Sequence, residues 1–374
     1  MRPSEKTNSS GEGLARVEVL DLLRMIAVMA VILFHYGYRG PAALGAADVA
    51  LPEIADFAKY GYLGAHLFFV ISGFVIAYSA EGRTATAFAI ARVARIYPGF
   101  LFCMTVTFLA TLAFGAPRFD ATVSQWVGNL FIAAPALNQP YMDSAYWTIV
   151  YEVIFYAWVY FLIASGLFRR RIDAVILIWL MLSLLNETAL ESFAVRKIFL
   201  TDQSGFFATG LLLYEIFKGR RDARLQCLFA LATAGAVLQA VANVQWLREN
   251  YMTAFDDWTV AALCLASILA VALAVRVRRV PLPAGVVIAI GGLTYPLYLL
   301  HQQIGYIALQ RLGQVADSGI LVLMIGTAMI VASWAVWKYV ERPAQRLVKI
   351  SLSQLTRRFG SASDTSKTLT PSHA

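Results

Sequence analysis

An arginine and a histidine, Arg24 and His35, stand eleven residues apart within one apolar run, LDLLRMIAVMAVILFHY. The pair offers a guanidinium that binds anions and an imidazole that exchanges protons near neutral pH. On a helix, eleven steps of about 100° end roughly 20° past three full turns, so both side chains project from one face, about 16 Å apart along the axis. An ionisable pair on one stripe of a membrane-spanning helix is costly, so the stripe is expected to face a polar cavity. Two structural readings compete with this one. An arginine near a helix end can snorkel to the headgroups, and a lone histidine can be a satisfied interhelical hydrogen-bonder.

Three more ionisable residues, His66, Glu152 and His301, lie inside other apolar runs. At about 1.5 Å per residue, His35 lies roughly 22 Å from the start of its run, with His301 at a similar height and Glu152 about 10 Å below the far end of its own run. His66 is a little deeper. Groups at comparable depth on four helices predict one water-accessible chamber in the outer third of a core about 30 Å thick. The competing arrangement is a set of separate buried hydrogen bonds.

The elements that must position these groups are membrane helices. With 59% hydrophobic and 14% charged residues and a mean hydropathy of +0.64, the chain is too apolar for an ordinary soluble protein of its length. Its net charge of +8 does not indicate nucleic acid, because the basic residues sit in short loops between apolar runs rather than beside a stacking platform. Cys103, Cys227 and Cys264 fall in apolar runs with no CxxC or Cys/His spacing. They read as small core residues, with neither a disulfide framework nor a metal site indicated.

The expected fold is all-α, a polytopic membrane helical bundle of about ten transmembrane helices. The expected spans are Leu20–Tyr38, Phe57–Ser79, Ile96–Ala116, Ser144–Phe168, Ile172–Asn186, Ser204–Phe217, Leu225–Val244, Trp258–Val275, Val286–Leu309 and Gly319–Tyr339. The fifth and sixth are short. Ala85–Ala94 reads as an amphipathic segment at one interface, and Trp126–Leu137 as a re-entrant or surface helix. No cleavable signal pattern precedes the first span. With both termini cytoplasmic, 23 of the 31 Lys and Arg residues fall inside and seven outside, with Arg24 left within the first span, a strong positive-inside bias. The chain divides into a cytoplasmic N-terminal segment 1–19, a transmembrane domain 20–347 and a Ser/Thr-rich cytoplasmic tail 348–374 that is expected to be disordered.

Six stretches, in order, carry a resemblance. They are LDLLRMIAVMAVILFH, GYLGAHLFFVISGFVI (Gly61 to Ile76), FAIARVARIYP, YWTIVYEVIFY (Tyr146 to Tyr156), GGLTYPLYLLHQQI and ERPAQR. From about Leu20 to Leu347 the chain resembles the membrane-bound acyltransferase family 3, whose members acylate extracytoplasmic carbohydrates and related small molecules. The first stretch is similar to the family's opening motif, an Arg and a His with ten residues between, and the third to its RxxR segment. The sequence departs at His66, where the family more often has an acidic or other polar residue, and at Met25, where a small residue is common. Transfer of family knowledge is therefore cleaner to Arg24 and His35 than to His66.

The resemblance implies an O-acyltransferase with a cytoplasmic acyl-CoA donor, acetyl-CoA as the expected form, and a carbohydrate or glycoside acceptor on the outer face. It places the protein, multi-pass, in the inner (plasma) membrane. Acyl transfer from a thioester to a hydroxyl needs a base, for which His35 is the candidate. Glu152 is the candidate carboxylate that orients the imidazole. Arg24, with Arg92 and Arg95 three apart on one helix face, can hold CoA phosphates; plain lipid anchoring is the alternative for the latter two. Asp21, His66, Tyr156 and His301 are candidates for the substrate pocket, although Asp21 can simply pair with Arg24.

Other functions leave other marks. A secondary transporter shares the many spans and intramembrane charges, but no internal repeat and no matched pair of broken helices is visible. A sensor or scaffold does not need acid and base groups at one depth, and hydrolysis of acyl-CoA would proceed without any acceptor.

Overall fold

The computed structural model describes residues 17–43, 51–313 and 315–367. Most of the expected N-terminal segment, with Arg2, Lys6 and Arg16, and the last residues of the expected tail, 368–374, lie outside the described residues. Fifteen α-helices follow one another among them: α1 Glu18–Phe34, α2 Pro52–Ala58, α3 Leu63–Ala80, α4 Ala85–Phe114, α5 Val123–Asn129, α6 Trp147–Ala164, α7 Leu167–Arg170, α8 Ile172–Leu185, α9 Phe193–Phe199, α10 Ser204–Phe217, α11 Ala223–Tyr251, α12 Asp257–Val277, α13 Ala284–Leu312, α14 Ser318–Val336 and α15 Arg342–Lys367. Nine helical stretches among the described residues are long and apolar enough to cross a bilayer. The chain is an all-α polytopic bundle. Large apolar side chains such as Leu109, Leu112, Ile178, Met181, Leu323 and Met324 are exposed on its outside, as a lipid-facing surface requires.

The sixth expected span is the one that falls short. α10 has only 14 residues, about 21 Å of helix, and every residue from Ser204 to Tyr214 is buried. Before it, the chain through α9 folds back against α6 and α8, where Trp158 Nε1 donates to the Ile198 carbonyl at 2.7 Å and Trp179 Nε1 to the Phe199 carbonyl at 2.5 Å. Irregular backbone at such depth needs internal partners. Gln239, in the middle of α11, supplies them: its amide donates to Thr201 O at 2.7 Å and Ser204 Oγ at 2.8 Å and accepts from Gly205 N at 3.0 Å. α10 then crosses α3 with almost no side chain between them. A Cβ on Gly73 would lie 2.3 Å from the Phe207 carbonyl, and one on Gly210 2.2 Å from that of Val70, the close backbone approach that small residues permit between membrane helices.

The loops of the bundle sort into two ends. At one, Glu18 contacts the 278–280 turn through Glu18 N to Arg278 O at 2.8 Å and Val280 N to Glu18 Oε2 at 3.2 Å. Lys218 pairs with Glu81 at 3.1 Å, Arg220 with Asp173 at 2.9 Å and Arg95 with Glu341 at 2.5 Å. These are the loops that carry the dense positive charge, the basic end of the bundle. At the other end Tyr60 meets Asp256, and Arg311 donates to Phe114 O and Ala116 O. The alternation expected from the loop charges is thus matched by which loops touch.

Two boundaries differ from the sequence reading. Ala85–Ala94 is not a separate interfacial segment: Thr84 caps α4 by accepting from Ala87 N at 3.2 Å, and the helix runs unbroken for 30 residues. At about 45 Å it exceeds the hydrocarbon thickness, so the amphipathic turns are its protruding start. The tail expected to be disordered from residue 348 is helical as far as Lys367, within α15. Its Ser/Thr-rich composition masks an apolar spacing at Leu347, Ile350 and Leu355, all exposed, that suits a helix lying along an interface.

Candidate active site

α1 sets the first two groups. Asp21 and Arg24 lie three residues apart on one face, and Arg24 Nη1 donates to Asp21 Oδ1 at 3.0 Å. Both line a cavity of about 520 Å³ that opens among α1, α3, α4, α6, α13 and the start of α15, within the size range of small-molecule sites. Four arginines, Arg24, Arg92, Arg95 and Arg342, line it against two carboxylates, Asp21 and Glu152. The lining is therefore net positive, as a site for a polyanion needs.

Each arginine is held differently. Arg92 lays its guanidinium over the rings of Phe88 and Tyr156, at 5.8 and 5.7 Å from their centroids, and its Nε has no hydrogen-bond partner. Arg95 is paired with the fully buried Glu341 and covers the Tyr295 ring at 5.5 Å. Glu341 and Gln345, which belong to the ERPAQR stretch, clamp α4: Gln345 Nε2 donates to Glu341 Oε1 at 2.6 Å and to the Arg95 carbonyl at 3.2 Å. Glu152 accepts from Ser72 Oγ at 3.3 Å and, in a short bond, from the Tyr156 hydroxyl one turn along α6.

The histidines lie beyond the cavity lining. α1 ends at Phe34 and continues as a π-helical segment, His35–Ala43, a wider turn that is frequent at functional sites. His35 Nδ1 lies 2.8 Å from Nε2 of His301 on α13, and His301 Nδ1 lies 2.7 Å from the Tyr298 carbonyl oxygen. Tyr298 itself lines the cavity, so the pair stands directly behind it. Its hydroxyl accepts from Thr148 Oγ1 at 2.9 Å and donates to Ala145 O at 3.2 Å. The crossing of the two helices is tight. Tyr36, fully buried, donates to the His301 carbonyl at 2.5 Å, and a Cβ on Gly305 would lie 2.1 Å from that hydroxyl.

On the side of the pair away from the basic end lies a second polar cluster. Ser144 Oγ receives Arg39 Nη1 at 3.0 Å and Gln302 Nε2 at 2.5 Å, while Gln302 Oε1 is buried without a partner. Asp143 accepts from Ala145 N and Gln303 N, each at 2.8 Å. Burial lifts its carboxyl to about 6, the two backbone N–H bonds opposing the rise.

The expected chamber of four groups at one depth is therefore two separate places. Arg24, Arg92, Arg95, Asp21, Tyr156 and Glu152 do share a cavity, and His35 and His301 do meet. Glu152, however, is engaged by Ser72 and Tyr156 and makes no hydrogen bond to His35, whose ring partner is His301 instead. Height along separate helices fixes depth but not azimuth, and α6 turns Glu152 towards the arginines. His66 is in neither place: it packs between Tyr62 and Phe206, at ring separations of 5.8 and 4.6 Å, with Nδ1 unpartnered. Tyr298, Tyr36, Ser144, Gln302 and Arg342 escaped the sequence reading. The one available signal was Tyr298, three residues before His301 and so on its face of α13.

Residues 17–338 match the acyltransferase domain that defines acyltransferase family 3. No curated protein and no solved structure matches the chain.

Proposed function

Because the chain belongs to acyltransferase family 3 and is a multi-pass membrane O-acyltransferase, we propose that it moves an acyl group, acetyl in the first instance, from cytoplasmic acyl-CoA to a hydroxyl of an extracytoplasmic carbohydrate or glycoside. One observation carries this reading: the His35–His301 pair stands between an arginine-lined cavity on the basic side and the Arg39, Ser144 and Gln302 cluster on the other. The positive-inside bias supports a cytoplasmic basic end, and the membrane in this reading is the inner (plasma) membrane.

In this reading the CoA phosphates meet Arg24, Arg92 and Arg95, joined by Arg342, and the pantetheine arm runs up the cavity towards Tyr298. The acceptor comes from the opposite end, where amide, hydroxyl and guanidinium groups suit a polyol. His35 takes the proton of the acceptor hydroxyl as its oxygen attacks the thioester carbonyl; the C–S bond breaks, and the CoA thiolate receives the proton from His35. Both histidines are buried, His35 at 6% exposure and His301 completely. Glu152 shapes the donor cavity by balancing its arginines.

Mass spectrometry of surface glycans and small glycosides, from cells with and without the protein, tests the proposal. An acyl increment on a glycan or glycoside is expected with the parent and absent with His35→Ala, since losing a positioned base costs about 10²- to 10⁴-fold. No increment in any carbohydrate fraction, or near-parental acylation by an inserted His35→Ala protein, overturns it.

A further inference from the structure

Resting on the reading of His35 as the base, we infer that His301 is a positioning residue that fixes the tautomer of His35, so that the proton acceptor is Nε2 and not Nδ1. An amide oxygen only accepts, so the contact of His301 Nδ1 with Tyr298 O at 2.7 Å requires the proton on His301 Nδ1. A neutral His301 then presents a bare lone pair at Nε2. The contact of 2.8 Å with His35 Nδ1 is a hydrogen bond only if His35 carries its own proton on Nδ1. That leaves His35 Nε2 bare and free to accept a proton.

A doubly protonated His301 would reverse the chain, but it is fully buried. Neither ring has a carboxylate as a hydrogen-bond partner among the described residues, and a buried unpaired cation is costly. The arrangement does for His35 what a buried carboxylate does in a serine hydrolase, with a neutral imidazole in its place. When His35 takes the hydroxyl proton at Nε2, its Nδ1–H remains bonded to His301, so the ring holds its orientation while the charge forms. Tyr36 fastens the same turn of α13 through the His301 carbonyl, which keeps the two rings in register.

The test reads the tautomer directly. The full chain, labelled with ¹⁵N-histidine and reconstituted in lipid vesicles, contains four histidines, and subtraction of a His35→Gln spectrum identifies the His35 nitrogens. The expected parent signature is a protonated Nδ1 and a bare Nε2. His301→Phe, which keeps an aromatic ring but removes the acceptor, should lose that preference, whereas His301→Gln, which retains an acceptor near the same place, should keep the Nδ1–H form. With the acceptor that mass spectrometry identifies, His301→Phe should lower kcat about 100-fold or more, between an ordinary hydrogen-bond loss and the roughly 10⁴-fold cost of removing the residue that orients a serine-hydrolase histidine, with KM for acyl-CoA unchanged. A parent His35 protonated on Nε2, or a His301→Phe protein whose His35 stays Nδ1–H, overturns the inference. Should His301→Phe fail to insert, the parent and His301→Gln spectra still decide. An active His35→Ala protein would sink the base assignment and leave the tautomer result standing, so the two failures are distinguishable.

Discussion

Arg95 and Glu341 form an ion pair of 2.5 Å in which the carboxylate is completely buried and the guanidinium still lines the arginine-rich cavity. Arg95 is thus committed to holding α4 against the turn that leads into α15, through Glu341 and through its own carbonyl, which accepts from Gln345. Its neighbour Arg92 has no such obligation. The two arginines of the RxxR segment, alike in sequence, are expected to do different work.

Arg95→Ala should therefore act first on stability. Removing Arg95, whose own side chain is 38% exposed, strands the fully buried Glu341 carboxylate, and the cost is about 3 kcal/mol at most, the low end of the range for buried pairs, because water reaches the arginine side and Gln345 still donates to Glu341. The apparent melting temperature in detergent should fall clearly, and adding Glu341→Gln should recover much of the loss. An Arg95→Ala protein that melts with the parent shows that the pair is not structural.

Gly305→Ala should damage the histidine pair from a distance. The new methyl would sit 2.1 Å from the Tyr36 hydroxyl, and Tyr36, wholly buried, has nowhere to retreat without breaking its bond to the His301 carbonyl. Overpacking of this kind costs about 1–3 kcal/mol, and a displacement near 1 Å at a reacting group costs roughly 10²-fold in rate. Tyr36→Phe, which loses one hydrogen bond but keeps the ring, should be the milder of the two. Equal turnover by Gly305→Ala and the parent would show that the crossing has slack.

Glu152→Gln separates the cavity from the base. If Glu152 oriented His35, removing its charge would move the limb of the pH–kcat profile that reports the base. With Glu152 bonded to Ser72 and Tyr156 among arginines, the limb should stay where it is and the change should appear in KM for acyl-CoA. A shifted limb restores the orienting role.

How much of this was legible beforehand depended on the kind of signal. Hydropathy and loop charge gave the spans and their alternation because the bilayer imposes both on any sequence. α10 was recognisable as short, but its burial on all sides follows from Gly73 and Gly210 meeting across α3, a contact between residues far apart in the chain. The Arg24 and His35 stripe was visible as a spacing. What it could not show is that Arg24 opens onto the cavity while His35, carried by a π-helical turn, points to a histidine 266 residues away. That partnership is made by the packing of α1 on α13, and no local propensity encodes it. Glu152 stands out in the sequence as a carboxylate within an apolar run, but depth says nothing about which way a helix faces, and α6 turns it to Ser72 and Tyr156.

Arg92 carries the last prediction, because its stacking on Phe88 and Tyr156 leaves Nε unbonded in the wall of the cavity. If that guanidinium meets a CoA phosphate, Arg92→Ala should raise KM for acyl-CoA by about tenfold or more, the loss of one charge-assisted hydrogen bond of roughly 1.5–3 kcal/mol. With a short thioester that lacks the nucleotide, the variant and the parent should then behave alike, and melting temperatures should match because no buried partner is stranded. An arginine that instead anchors α4 to lipid headgroups would lower expression or turnover equally with both donors. Equal impairment with the truncated thioester therefore removes Arg92 from the donor site, while the assignment of His35 as the base would survive it.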